Sequence, residues 1–252
     1  MIAIQKYFRG FIPSTIIQFL CCSAPREMSA FPAPVVHKPS SKHTATVIFL
    51  HGLGDTGHGW MAGFEEILPK HVKYIGPNAK TMRVTLNMGM QMPSWFDIYG
   101  LQPDAPEDQV NIKASADYLT SLVKKEEESG IPTNRIVIGG FSQGGAVALY
   151  NTWSTQHNYA GVIGLSTWMP LHKAFLSEVK PSITNKDIPI LLGHGNADPL
   201  VDYEKMGRQT FGLLKTVYSA TDFKTYSRMG HSSCPEEMND VKEFIMRVLP
   251  EN

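Results

Sequence analysis

Three cysteines in 252 residues are too few for a disulfide framework, and two of them, Cys21 and Cys22, are adjacent; the third is Cys234. A reducing compartment is therefore expected, with a cytoplasmic location as the simplest reading. Charge of one sign is also missing. Lys+Arg and Asp+Glu both total 23, so no bulk field points to nucleic acid or an anionic membrane. No apolar run is long enough to span a bilayer as a helix. The chain has no H-E-x-x-H pattern and no clustered Cys/His set, so neither a metal nor another cofactor is expected. It also has no internal repeat.

What is present is a globular composition. At 42% hydrophobic and 18% charged residues, the chain carries enough apolar surface for a substantial core. The first 26 residues stand apart, with Lys6, Arg9 and Arg26, no acid before Glu27, and a mostly apolar stretch from Phe11 to Leu20. Three readings compete for them. Pro13 and Gln18 interrupt the core that a secretory signal needs, and arginines are scarce for a mitochondrial presequence. The third reading is a disordered extension, with Met28 as a further start. Pro32, Pro34, Pro39 and Ser40-Ser41 make Phe31–Lys42 read as a linker. The expected division is 1–43 as extension and linker, disordered or targeting, and 44–252 as one folded domain.

From Thr44 onward, strand and helix patterns alternate. Thr46–Leu50, Val72–Ile75, Ile136–Gly139, Gly161–Leu165, Ile188–Leu192 and Phe223–Tyr226 read as strands. Trp60–Leu68, Asp108–Ser129, Lys205–Val217 and Pro235–Leu249 read as helices, the last with Ser233 or Cys234 as cap and Glu236 and Glu237 favouring its first turn. Buried strands alternating with helices imply an α/β fold: a mostly parallel central sheet with helices on both faces.

The most telling stretch is Gly140-Phe141-Ser142-Gln143-Gly144. A G-x-S-x-G pentapeptide is weak alone. Here it follows a buried strand and opens into the helical run Gly145–Tyr150, which is the context of a nucleophile elbow. A serine hydroxyl needs a base to take its proton and a carboxylate to orient that base. In the strand-loop order serine, acid, histidine, Asp198 follows the strand at Ile188–Leu192, and His231 precedes the last helix. Asp202 is the rival acid, one turn further on. His194 precedes the acid, so the order counts against it. An acyl-transfer oxyanion needs two donors. The Gln143 N–H is one candidate, and the Leu53 N–H in His51-Gly52-Leu53-Gly54-Asp55 is the other, with His51 and Asp55 as loop-shaping residues.

Five blocks in order resemble the acyl-protein thioesterase/lysophospholipase family. They are His51–Gly57, Met92-Pro93-Ser94-Trp95-Phe96-Asp97, Gly139–Gly145, His194–Pro199 and Gly230–Cys234, and the likeness covers roughly residues 44–250. It implies an α/β-hydrolase fold and a serine hydrolase that removes palmitoyl groups from protein cysteines or cleaves lysophospholipids and small esters. By resemblance, Ser142, Asp198 and His231 are the triad, and Leu53 and Gln143 the oxyanion donors.

Thr81–Leu101 is rich in soft apolar side chains, which repack readily around an alkyl chain. In the family this segment acts as lid and acyl-channel wall. Leu86, Met88, Met92, Trp95 and Phe96 are accordingly the candidate acyl-binding residues, with Trp168 as a further wall. Relatives begin near the position of Met28, some with an S-acylated cysteine beside the start. Cys21 and Cys22 are read as counterparts that would give peripheral membrane contact. The expected substrates are S-acylated proteins and lysophospholipids, and the expected state is a monomer or weak homodimer. The rival of another class is a non-catalytic lipid- or protein-binding relative, which the undegraded Ser142, Asp198 and His231 disfavour.

Overall fold

The computed structural model describes residues 31–155, 157–178 and 185–251. Cys21, Cys22 and the readings of the first 26 residues lie outside them. The central sheet has seven strands in the order β1-β3-β2-β6-β7-β8-β9. They are β1 (Val35–His37), β2 (Ala45–Leu50), β3 (Val72–Gly76), β6 (Ile136–Phe141), β7 (Gly161–Leu165), β8 (Ile190–Gly195) and β9 (Thr221–Tyr226). All pairings are parallel except β1 with β3. A separate antiparallel hairpin pairs β4 (Lys80–Val84) with β5 (Met90–Ser94).

Burial on both sheet faces explains the near-continuous apolar strands. Along β2 and β6, Ile48, Leu50, Ile136 and Ile138 face one core, shared with Ile112 and Leu119 of α2 (Gln109–Glu128) and Val147 of α3 (Gln143–Ser154). Val47, Phe49 and Val137 face the other, shared with Phe64 of α1 (Met61–Ile67) and Val241, Phe244 and Ile245 of α6 (Pro235–Val248). This alternation with period two is what a strand covered on both sides requires. Among the described residues, no helix is long and apolar enough to cross a membrane.

The elements differ from the sequence reading in four places. Phe31–Lys42 is not merely a linker. Val35–His37 adds β1 to the sheet edge, and Phe31 stacks on Tyr118 with ring centroids 4.0 Å apart. The prolines stand outside the three paired residues, where their missing N–H costs no ladder bond. The strand expected at Ile188–Leu192 starts two residues later and runs on to Gly195. Lys205–Val217 is not one regular helix: a π-helical segment, Tyr203–Arg208, leads into α5 (Gln209–Lys215). The hairpin and α4 (His172–Glu178) were not foreseen, since a methionine-rich strand pair and a seven-residue helix carry little periodicity.

Helix α6 begins as expected, with Cys234 at the cap position and Glu236 and Glu237 in its first turn. Cys234 makes no side-chain cap bond, and Glu237 is fully buried beneath Gly193 of β8. Neither Glu237 carboxyl oxygen nor the Ser233 hydroxyl has a hydrogen-bond partner among the described residues. Burial outweighs the neighbouring Ser233 hydroxyl, which favours the charged form, and with the charge of Asp240 nearby pushes the Glu237 carboxyl from 4.5 up to about 7. The folded chain therefore takes up a proton between those values, and stability falls as pH rises through that window. Glu237→Gln should abolish this fall and raise stability at pH 8 by about 2–3 kcal/mol, measured by urea unfolding from pH 4 to pH 8.

Candidate active site

Ser142 stands at the junction of β6 and α3 in a conformation that few side chains adopt, φ 52° and ψ −121°. Such a backbone costs about 1–3 kcal/mol and persists only where its surroundings hold it. Two bonds do so. The Ser142 N–H donates to Leu165 O at 2.8 Å, and Thr167 Oγ1 donates to Ser142 O at 2.7 Å. The bend also needs Gly144, where a Cβ would lie 2.3 Å from Leu50 O and 2.5 Å from His51 O. No larger residue fits between the elbow and the end of β2.

The structure brings the three expected side chains together. The Ser142 hydroxyl lies 2.9 Å from His231 Nε2, and His231 Nδ1 lies 2.8 Å from Asp198 Oδ2. With Nδ1–H donating to the carboxylate, Nε2 is left to accept the serine proton. Asp198 Oδ1 accepts the amides of Leu200 and Val201, each at 2.9 Å. Burial pushes the Asp198 carboxyl up, but the bond from His231 and these two amides outweigh it and hold it below its ordinary value. Asp198 therefore keeps its charge at neutral pH.

The rivals have other duties. Asp202 caps the π-helical segment by accepting the Lys205 N–H at 2.7 Å. His194 is buried, donates Nε2–H to Val201 O at 2.9 Å, and lies 3.5 Å from Asp198 Oδ2. Burial lowers its pKa, which keeps the ring neutral. His51 does shape its loop: Nε2 accepts the Ala79 N–H at 3.1 Å, so Nδ1–H donates to Gly52 O at 2.6 Å.

The Leu53 loop lies against the elbow, with Gly52 so close that a Cβ there would be 3.6 Å from Ser142 Cβ. Among the described residues the Leu53 and Gln143 N–H groups make no hydrogen bond. Gln143 heads α3, so its N–H is one of the four that a helix start leaves open. The Gln143 side chain was not foreseen as anything. It is fully buried and bonded to Trp95 N, Ser94 Oγ and Phe96 O.

A cleft of about 520 Å³ opens over Ser142 and His231, with Leu53, Leu86, Leu101, Trp168 and Leu200 in its walls. It adjoins a narrow cavity of about 50 Å³ lined by Phe96, Tyr99, Leu101 and Trp168. Of the six candidate acyl-binding residues, Leu86 and Trp168 line the cleft and Phe96 the cavity behind it. The other three do not. Trp95 is enclosed in the core at 2% exposure with its indole N–H bonded to His51 O. Met88 is 89% exposed at the hairpin tip, in a left-handed turn, and is not among the cleft-lining residues. Met92 packs on the core and takes a bond from Asn87 Nδ2. Leu200 and Val201, two and three residues past Asp198, were missed; Leu101 closes the Thr81–Leu101 segment but was not singled out within it.

A serine on a strand-to-helix turn, with an acid and a histidine on later loops above a mostly parallel sheet, is the arrangement of α/β-hydrolase esterases. The chain belongs to the phospholipase/carboxylesterase family, whose family model matches residues 31–249, and it is a hydrolase. It is 44% identical over 227 residues to acyl-protein thioesterase 1 of Gibberella zeae, covering 86% of this chain and 96% of that protein. Against acyl-protein thioesterase 1 of Neurospora crassa it is 43% identical over 226 residues, with 86% and 92% covered. Among solved structures, acyl-protein thioesterase 2 of Zea mays superposes with a TM-score of 0.80 at 32% identity, covering 87% of this chain and all of that one.

The two acids are separable by substitution. Asp198→Asn should lower kcat by about 10⁴-fold, whereas Asp202→Asn should leave kcat within a fewfold and cost at most about 1 kcal/mol of stability. Turnover of both variants together with urea unfolding decides the matter; the reverse ranking would move the orienting role to Asp202.

Proposed function

We propose that this chain is an acyl-protein thioesterase that hydrolyses long-chain acyl thioesters on protein cysteines through an acyl-enzyme on Ser142. The observation that carries this reading is the hydrogen-bonded series Asp198–His231–Ser142 opening on an apolar-walled cleft. Similarity to proteins named acyl-protein thioesterase supports the choice of substrate class. The catalytic unit is the folded body from Phe31 onward.

The chemistry follows from the distances. As Ser142 Oγ attacks the acyl carbonyl, its proton passes to His231 Nε2, 2.9 Å away. Asp198, kept ionised, stabilises the imidazolium and fixes its tautomer. The carbonyl oxygen becomes an oxyanion, and the unbonded N–H groups of Leu53 and Gln143 receive it. Collapse of this intermediate breaks the C–S bond, and His231 returns its proton to the departing cysteine thiolate. Water then attacks the acyl-enzyme, giving its proton to His231. The second tetrahedral species collapses to the fatty acid and restores the Ser142 hydroxyl. Leu86, Leu101 and Trp168 shield the first carbons of the chain from water, and the cavity at Phe96 receives carbons further on. At about 0.8 kcal/mol per buried CH₂, each two carbons accommodated should strengthen binding by roughly tenfold.

A lysophospholipid presents the same acyl carbonyl with a glycerol leaving group, and it is the second substrate in this reading. S-acylated Cys21 or Cys22 would add peripheral membrane contact in the cytoplasm, and the working state is a monomer or weak homodimer. The deciding measurement is kcat/KM on an S-palmitoyl peptide beside lysophosphatidylcholine, with Ser142→Ala as control. The expected result is a preference for the thioester, with Ser142→Ala inactive on both and unlabelled by a fluorophosphonate probe. A preference for the lysolipid would make the enzyme a lysophospholipase, and labelling of Ser142→Ala equal to wild type would remove Ser142 from the mechanism.

A further inference from the structure

The two proposed oxyanion donors sit on different loops, Leu53 after β2 and Gln143 after β6. Both loops are bonded to one short segment, Pro93–Phe96, at the end of β5. On the first side, Trp95 Nε1–H donates to His51 O at 2.8 Å, and the Gly54 N–H donates to Pro93 O at 2.9 Å. These bonds flank Leu53 in sequence. On the other side, Gln143 Oε1 accepts the Trp95 N–H at 3.0 Å, and Nε2 donates to Ser94 Oγ at 2.9 Å and Phe96 O at 2.7 Å. Trp95 thus holds one half with its indole and the other with its main chain. The segment is itself braced, because Ser115 Oγ of α2 donates to Trp95 O at 2.6 Å.

We propose that Trp95 is a positioning residue that sets the separation of the Leu53 and Gln143 amides, and does not act as a wall for the acyl chain. The proposal rests on the oxyanion reading of those two amides. Such donors must lie about 2.7–3.1 Å from the oxygen as it becomes charged, so a drift of one loop against the other weakens the transition state more than the bound substrate. Losing the indole N–H leaves His51 O buried without its donor and frees the loop that carries Leu53. Trp95 is outside the cleft, so the loss should be indifferent to acyl length.

Two variants test this, assayed on p-nitrophenyl butyrate and on a palmitoyl thioester, with thermal unfolding in parallel. Trp95→Phe keeps the ring packing and deletes the indole N–H. Gln143→Met keeps the elbow amide and deletes all three side-chain bonds, so it carries the test if Trp95→Phe does not fold. Each should lower kcat by about tenfold or more, with KM within about twofold and the same factor on both substrates. Inhibition by a trifluoromethyl ketone, which forms an oxyanion on Ser142, should weaken by a similar factor. Unchanged kcat in both variants overturns the proposal. So does a loss that lies in KM alone or grows with chain length. The butyrate ester keeps the test independent of the thioester preference. If Ser142→Ala turned over butyrate like wild type, the site reading would fail. An inactive Ser142→Ala with normal kcat in both clamp variants would sink the clamp alone.

Discussion

The positive φ at Ser142 is the constraint on which the rest of the site depends. A left-handed serine at the end of a strand is unfavourable, and the neighbouring elements are arranged to hold it there. The β7 end takes its N–H, Thr167 takes its carbonyl, and Gly144 lets α3 come within contact of the β2 carbonyls. That contact has a second result: it brings the Leu53 loop against the elbow, so the loop that follows β2 and the serine that follows β6 share one opening. The pairing of β2 beside β6 in the sheet makes this unavoidable.

Charge is arranged with equal economy. Asp198 sits in a buried pocket that would favour its protonated form, yet the His231 imidazole and the amides of Leu200 and Val201 keep it ionised. His194, set aside in the sequence reading because it precedes the acid, turns out to tie the strand end to the Asp198 loop through Val201 O. Glu237 shows the opposite outcome a few residues past His231. With no interaction strong enough to offset burial, a carboxyl in the same kind of enclosure keeps its proton close to neutrality.

How much of this was legible depended on whether a signal was local. The elbow, the acid and the histidine each occupy a short loop after a strongly apolar strand, so pattern and order located all three, and the parallel sheet followed from the strands themselves. The wall of the cleft was harder. Trp95, Met88 and Leu86 look alike as apolar residues in one segment, but a hairpin sends them to the core, to solvent and to the cleft in turn. That sorting depends on where the chain reverses at Met88, and no periodicity announces it. Gln143 was visible only for its main chain, because its side-chain partners lie 47 to 49 residues away. β1 was hidden by its prolines, which mark loops more often than strands.

The shortness of β1 has a bearing on how the chain behaves among its own copies. An open sheet ends in two rows of unpaired peptide groups, each a template on which another strand could grow. Here one margin is a three-residue strand with Pro34 before it and Pro39 two residues beyond. The other, β9, shows Asp222 and Lys224 to solvent. A foreign strand meets too few peptide groups at the first and must bury opposite charges at the second. The same sheet that carries Ser142 is thereby guarded at both borders against growing into a fibril.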